Sequence, residues 1–489
     1  MNRGTLVRLH LGLIIAAASL CVSCAGVGSG ESAALATRIQ RIENGLLPAI
    51  VIKGRPVVPM TLSDRMTFHK TPGISVAVIH GGALEWARGY GVRQAGESEP
   101  VTPRTLFQAA SISKPVAAAA ALRLVQEGTL DLDEDVNRTL TSWRVSENEF
   151  TKEKKVTLRG LLSHTAGLTV HGYEGYAAGE AVPTLAQILD GAKPANSVPT
   201  RVDILPGSRW RYAGGGYSVM QQLLVDVTGK PFPELMRETV LRKLGMADST
   251  YQQPLNPKQR SQAASGHDER GVVIQGRWHT YPEMAAAGLW TTPSDLGRFA
   301  IELQQSAAGR SNRLLSAEMA RGMLTPGLGD WGLGFGVKGK GRESRFSHSG
   351  SNEGFRATLI AYRETGQGAV VMTNSDNGAA LVAEILLGIA KEYGWPDYAP
   401  KEKDLADVSA EVYDLYTGVY ELSPEVAVTV SRQAQTLVAE AQGRKYELLP
   451  ESETSFFTLT GLEVRFVKDA TGKVTHLVLG GGAEARKIR

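Results

Sequence analysis

A hydroxyl and an amine three residues apart open a helix-forming run, in which Ser111-Ile112-Ser113-Lys114 leads into Pro115-Val116-Ala117-Ala118-Ala119-Ala120-Ala121-Leu122. At that spacing the two side chains share a helix face about one turn apart, near enough for a proton to pass if both point into a cleft. Pro115 predicts a helix start nearby, because the first turn has no use for the N–H that proline lacks. Unpaired N–H groups and the positive end of the helix dipole favour an alkoxide over a hydroxyl and a neutral amine over an ammonium. The chemistry this suggests is acyl transfer through a serine ester. Taken alone, the four residues are more simply a helix cap beside a solvated lysine.

Three distant segments change that balance. Pro206-Gly207-Ser208-Arg209-Trp210-Arg211-Tyr212-Ala213-Gly214-Gly215-Gly216-Tyr217 sets a tyrosine beside a glycine cluster, and Phe346-Ser347-His348-Ser349-Gly350-Ser351-Asn352-Glu353-Gly354-Phe355 precedes a strand. The third is Leu161-Leu162-Ser163-His164-Thr165-Ala166-Gly167-Leu168. In order and spacing, from about residue 40 to 395, the chain resembles the serine β-lactamase and D-alanyl-D-alanine peptidase superfamily, in its class C branch with related esterases and D-aminopeptidases. Leu244-Gly245-Met246 and the run from Gly288 to Leu296 belong to the same resemblance.

The resemblance implies roles. Ser111 would be the acylated nucleophile, Lys114 the group that helps remove its proton, and Tyr212 the proton shuttle to the leaving group and to water. His348-Ser349-Gly350 would be the strand element that holds substrate, with the backbone N–H groups of Ser111 and Ser351 as oxyanion hole. Gly214 stands where penicillin-recognising relatives place an asparagine that binds the acylamino side chain. His348 replaces a lysine that helps bind a substrate carboxylate, and a neutral imidazole would orient substrate by hydrogen bonds instead. Both departures point away from β-lactam turnover and toward the esterase and D-aminopeptidase side. His164 reads as a structural brace, while His171, His267 and His279 look scattered.

These residues need a scaffold. Gly73–His80 and Ala83–Gly91 flank Gly81-Gly82 as a β-hairpin, and residues 357–362 and 368–373 flank a turn containing Gly366 as a second. Helical spacing runs from Ala379 to Tyr393, and Thr292-Pro293-Ser294-Asp295 caps another helix. The fold class is therefore α+β: an antiparallel sheet made from both ends of a domain, with a helical region inserted between. Trp395-Pro396-Asp397-Tyr398-Ala399-Pro400 and the charges after it mark a boundary, with residues 25–395 as the hydrolase-like domain and 396–410 as linker. Residues 411–489 hold seven short strand-like runs between turns, which with one more would make a small antiparallel barrel or sandwich, similar to a lipocalin-like β-domain. That domain shows no catalytic cluster and reads as structural or as a lid that limits substrate.

The whole chain narrows the alternatives. With 489 residues, 53 basic and 50 acidic side chains and a net charge of +3, nothing argues for nucleic-acid binding. Arg3 and Arg8 precede an apolar run from Leu11 to Leu20, too short to span a membrane and laid out as a secretory signal over residues 1–24. Val22-Ser23-Cys24-Ala25-Gly26 resembles a bacterial lipoprotein site, which predicts export to the periplasm and lipidation of Cys24. Cys21 departs from that pattern, and plain cleavage nearby or an uncleaved anchor are the alternatives. Both cysteines lie in this leader, so the body has no disulfide framework. Gly334-Phe335-Gly336-Val337-Lys338-Gly339 fits a dinucleotide motif without its strand-to-helix unit and reads as a glycine-rich loop. No His-Glu-x-x-His and no Gly-x-Ser-x-Gly occurs, so neither metal nor cofactor is called for. The sequence thus predicts a serine hydrolase of an ester or amide, acting on a small molecule or short peptide. A class C-type β-lactamase or DD-carboxypeptidase, or a sensor that acylates without turnover, remain as alternatives. Oligomeric state is not read from it.

Overall fold

In the computed structural model, the described residues are Met1, 27–423, 426–441, 443–480 and 482–489. The predicted leader and Cys24 lie outside them. Met1–Arg41 and Ile42–Arg489 form separate units, and the described part of the first is helical, within Val27–Glu43. Among the described residues no helix is long and apolar enough to cross a membrane.

The second unit is built on a six-stranded antiparallel sheet. Its strands are β1 (Gly73–His80), β2 (Ala83–Gly91), β3 (Gly336–Lys338), β4 (Arg345–Asn352), β5 (Phe355–Tyr362) and β6 (Gly368–Thr373), in the order β2-β1-β6-β5-β4-β3. The first hairpin turns at Gly81 and Gly82, whose φ values of 58° and 77° are the left-handed pair that a two-residue turn of this twist needs. β6 is buried along its whole length and β1 up to its last residue, so both read as continuous apolar runs rather than alternating ones. The sheet joins strands from both ends of the hydrolase domain, as predicted, and the helical region lies between β2 and β3 in the chain.

Four helices of that region and its flank matter for the site. α1 (Ser113–Gln126) is buried on nearly every side, which explains its alanines: a helix enclosed all round has no room for larger side chains along most of its length. α2 (Gly214–Thr228) follows the tyrosine segment, and α3 (Pro293–Ala307) starts at Thr292, whose hydroxyl accepts from Asp295 N–H as the sequence predicted. α3 and α4 (Gly378–Tyr393) both pack on the sheet.

The 396–410 stretch carries structure of its own, since Lys401–Lys403 pairs in parallel with Ile50–Ile52. After it, α5 (Ala410–Tyr416) leads into a closed antiparallel barrel of eight strands: β7 (Gly418–Ser423), β8 (Val426–Gln433), β9 (Thr436–Ala441), β10 (Arg444–Pro450), β11 (Ser455–Phe457), β12 (Glu463–Lys468), β13 (Val474–Leu479) and β14 (Ala483–Lys487). β7 closes the barrel by pairing with β14. Seven of these were legible as apolar runs. The eighth, Ala-Glu-Ala-Arg-Lys, buries only Ala485 and so shows no strand-like run.

Candidate functional site

Ser111 sits in the single 3₁₀ turn Ala110–Ile112 that delivers the chain into α1. Ala110 just before it has φ of 49°, a conformation that costs a non-glycine residue energy and that the surroundings must enforce. One constraint is β4, which runs directly over this turn. A Cβ on Gly350 would lie 2.2 Å from Ala109 O, so only glycine lets the strand come this close. A second is Ser113, whose Oγ donates to Ala110 O and accepts from Leu289 N–H. Ala109 N–H donates to Leu289 O as well.

Lys114, in the first turn of α1, is buried. Its Nζ lies 2.9 Å from Ser111 Oγ and 2.8 Å from Ala286 O, so the backbone of the short helix Met284–Ala287 aims the amine at the hydroxyl. The same amine stands 5.0 Å from the centre of the Tyr212 ring. Tyr212 precedes α2, whose first N–H groups are taken by the loop before it: Gly214 N–H donates to His171 O and Gly215 N–H to Val170 O. His164 Nδ1 accepts from Ala213 N–H, and the His164 ring lies 4.3 Å from that of Tyr212. His164 therefore braces the tyrosine segment, as the sequence suggested.

His348, on β4, is buried with its ring 6.1 Å from Tyr212. Burial, reinforced by the nearby Lys114 charge, pushes its imidazole down to about 3, so it is neutral at physiological pH. Burial, and after it the nearby Lys114 charge, likewise hold His164 well below the ordinary histidine range. Ser349 and Ser351 are exposed on the other face of the strand, with Ser349 Oγ 3.2 Å from Thr358 Oγ1. Gly214 is buried, and a side chain there would meet His171 O and the Tyr173 ring. The structure thus brings Ser111, Lys114, Tyr212, His348 and Gly350 to one place.

Sequence reasoning missed four neighbours. His171 is not scattered: its ring is 5.0 Å from Tyr212. His267 and His279 are elsewhere, tied to the Asn374 and Glu174 carbonyls. Trp331, just before the glycine-rich stretch set aside as a loop, packs 5.4 Å from His348, 5.8 Å from Tyr212 and 5.6 Å from Trp210. Glu283 opens the turn that holds Lys114, and it is wholly buried with neither carboxyl oxygen bonded. Burial pushes its carboxyl up to about 8. Gln221 clasps the backbone on both sides of Glu283, donating to Pro282 O and accepting from Ala285 N–H. A tryptophan beside glycines was the only local signal among the four.

Comparisons with known proteins agree with this architecture. Residues 60–391 match the family model described as Beta-lactamase. Penicillin-binding protein 4* of Bacillus subtilis (strain 168) is 24% identical over 463 residues, covering 88% of this chain and 96% of that protein. The octameric penicillin-binding protein homologue from Pyrococcus abyssi superposes with a TM-score of 0.61 at 22% identity, over 87% of this chain and 98% of that one. D-amino acid amidase from Ochrobactrum anthropi SV3, solved with L-phenylalanine, gives 0.56 at 22% identity, over 73% and 99%.

Proposed function

The chain belongs to the beta-lactamase family and is a serine hydrolase of that kind, and from this premise we propose that it cleaves esters or amides whose leaving group carries no free carboxylate. The observation that carries the reading is the 2.9 Å contact between Lys114 Nζ and Ser111 Oγ, with the amine held from behind by Ala286 O. An amine that has given up one proton reverses that bond and accepts the hydroxyl proton as Ser111 attacks the carbonyl. The tetrahedral oxyanion is then held by the Ser111 and Ser351 N–H groups, a role supported by the close seating of β4 on Ala109–Ala110. Tyr212 passes a proton to the leaving group, and water releases the acyl group by the reverse route.

His348 supports the choice of leaving group. Its Nδ1 lies 2.7 Å from Ser349 O, and a carbonyl only accepts, so Nδ1 carries the proton. In the neutral ring Nε2 is then a bare lone pair, buried and without a partner. A substrate N–H or O–H satisfies it, whereas a carboxylate would face another acceptor. This argues for amides or esters over carboxylate-bearing peptides and penicillins. Screening aryl esters, D-amino acid amides and a chromogenic cephalosporin, with Ser111→Ala as control, tests the reading. We expect turnover of the first two classes, and a single stoichiometric adduct with no turnover would replace the enzyme by a sensor. Export with a lipid on Cys24 is part of the proposal. A palmitate analogue should label the wild type and not Cys24→Ala; an unlabelled wild type ends it.

A further inference from the structure

The rings around Tyr212 hold more hydrogen-bonding capacity than the hydrolytic steps use. Trp210 and Trp331 stand 5.6 Å apart and are fixed by one loop: a Cβ on Gly329 would lie 2.6 Å from the Trp210 ring, and Gly327 N–H donates to Trp331 O across the turn. Both rings are half-buried, and both indole N–H groups are enclosed without an acceptor. His164 adds a third donor. Its Nδ1 accepts from Ala213 N–H, so in the neutral ring the proton sits on Nε2, which is also buried and unbonded. His348 Nε2 is the free acceptor beside these donors, on a ring 5.4 Å from that of Trp331.

Donors set beside an acceptor discriminate among the groups a substrate can present. An alkyl group leaves all of them unpaired, and a carboxylate satisfies the indoles but turns an oxygen toward the His348 lone pair. An ammonium fails the other way, since it has no lone pair for an indole N–H. A primary carboxamide answers both: its oxygen accepts from the indoles, its nitrogen donates to His348, and it brings no charge to desolvate. Its planar shape also suits a gap between aromatic rings. Resting on the hydrolase reading above, in which His348 faces the leaving group, we propose that the cleft selects leaving groups that carry a primary carboxamide. Trp331 Nε1 and His348 Nε2 read it together, with Trp210 Nε1 as a second donor to its oxygen.

The test uses phenylacetyl esters of the full chain's choice of alcohol: glycolamide, glycolate, ethylene glycol and isobutanol, the last shaped like glycolamide with methyl groups in place of its oxygen and nitrogen. Each kcat/KM is divided by the hydroxide-catalysed rate of the same ester, which removes differences in leaving-group reactivity. The glycolamide ester should then exceed the isobutyl and glycolate esters by more than about tenfold. Trp331→Phe keeps a ring and removes the N–H, and it should lower the glycolamide-to-isobutyl ratio by about fivefold, the worth of one neutral hydrogen bond. Fluorophosphonate labelling of Ser111 shows that a variant folds, and if Trp331→Phe does not label, Trp210→Phe carries the same expectation. Turnover without a preference for glycolamide, an unchanged ratio in the folded variant, or an ethylene glycol ester cleaved as well as the glycolamide ester would each overturn the proposal and leave the hydrolase reading standing. No turnover of any ester or of the corresponding amides would end both.

Discussion

Two aromatic clusters in this molecule treat their polar atoms in opposite ways. In the packed end of the barrel, Tyr416 Oη donates to Glu453 O and Tyr420 Oη to Tyr416 O. In the cleft, Trp210 Nε1, Trp331 Nε1, His164 Nε2 and His348 Nε2 are all buried with no partner, and so are both oxygens of Glu283. Leaving such groups unpaired costs on the order of 1–3 kcal/mol each. A cluster meant only to hold a fold would not bear that repeatedly, whereas one that receives a polar substrate must keep donors and acceptors unspent. Of these two clusters the satisfied one is scaffold and the unsatisfied one lines the site, although Trp395 Nε1, away from the cleft, is also buried without a partner.

The largest effect should come from the nucleophile. Ser111→Ala is expected to lower ester or amide turnover by about four orders of magnitude or more, measured by hydrolysis of whichever substrate the screen returns. Substantial residual turnover would move the chemistry elsewhere. Tyr212→Phe removes one hydroxyl and keeps the ring packed against His164 and Lys114. It should slow turnover by about two to four orders if that hydroxyl moves protons, and an unchanged rate would return Tyr212 to the class of scaffold aromatics.

How much of this was readable in the chain follows from the range of each contact. Ser111 and Lys114 were visible because three residues on a helix are neighbours wherever the helix goes. Tyr212 and His348 became visible only through their register with a known family, since nothing local separates them from ordinary half-buried rings. His171 looked isolated because its partner is 41 residues away, and Glu283 carries no local signal, since a lone carboxylate before an alanine run is ordinarily exposed. A sequence carries no sign that a carboxyl will be enclosed. The barrel was readable as a series of short strand-like runs separated by turns, except for its last strand, Ala483–Lys487, which buries a single residue and so leaves no run to read.

Glu283 sharpens the comparison through pH. Its carboxyl, ordinarily near 4.5, is raised to about 8 in the folded protein, so folding tightens its hold on the proton. Stability from this group is full below about pH 4.5 and falls as pH rises toward 8, where the folded state must carry a buried charge. Glu283→Gln cannot ionise. Measured by urea unfolding, the variant should gain on the wild type by a few kcal/mol between pH 5 and pH 8. If the two proteins keep a constant difference across that range, Glu283 titrates normally and its oxygens find partners in solution.

The smallest effect belongs to the barrel. Tyr420→Phe deletes the hydroxyl that donates to Tyr416 O and leaves the ring, which is fully buried 5.8 Å from Phe466. The loss is one neutral hydrogen bond with a carbonyl left unpaired, about 1 kcal/mol. It should appear as a lower urea midpoint with no change in turnover, because the bond joins α5 to β7 and touches nothing in the cleft. A fall in kcat comparable to that of Tyr212→Phe would mean that the packed end of the barrel helps to shape the cleft, and that satisfied and unsatisfied clusters are not separate after all.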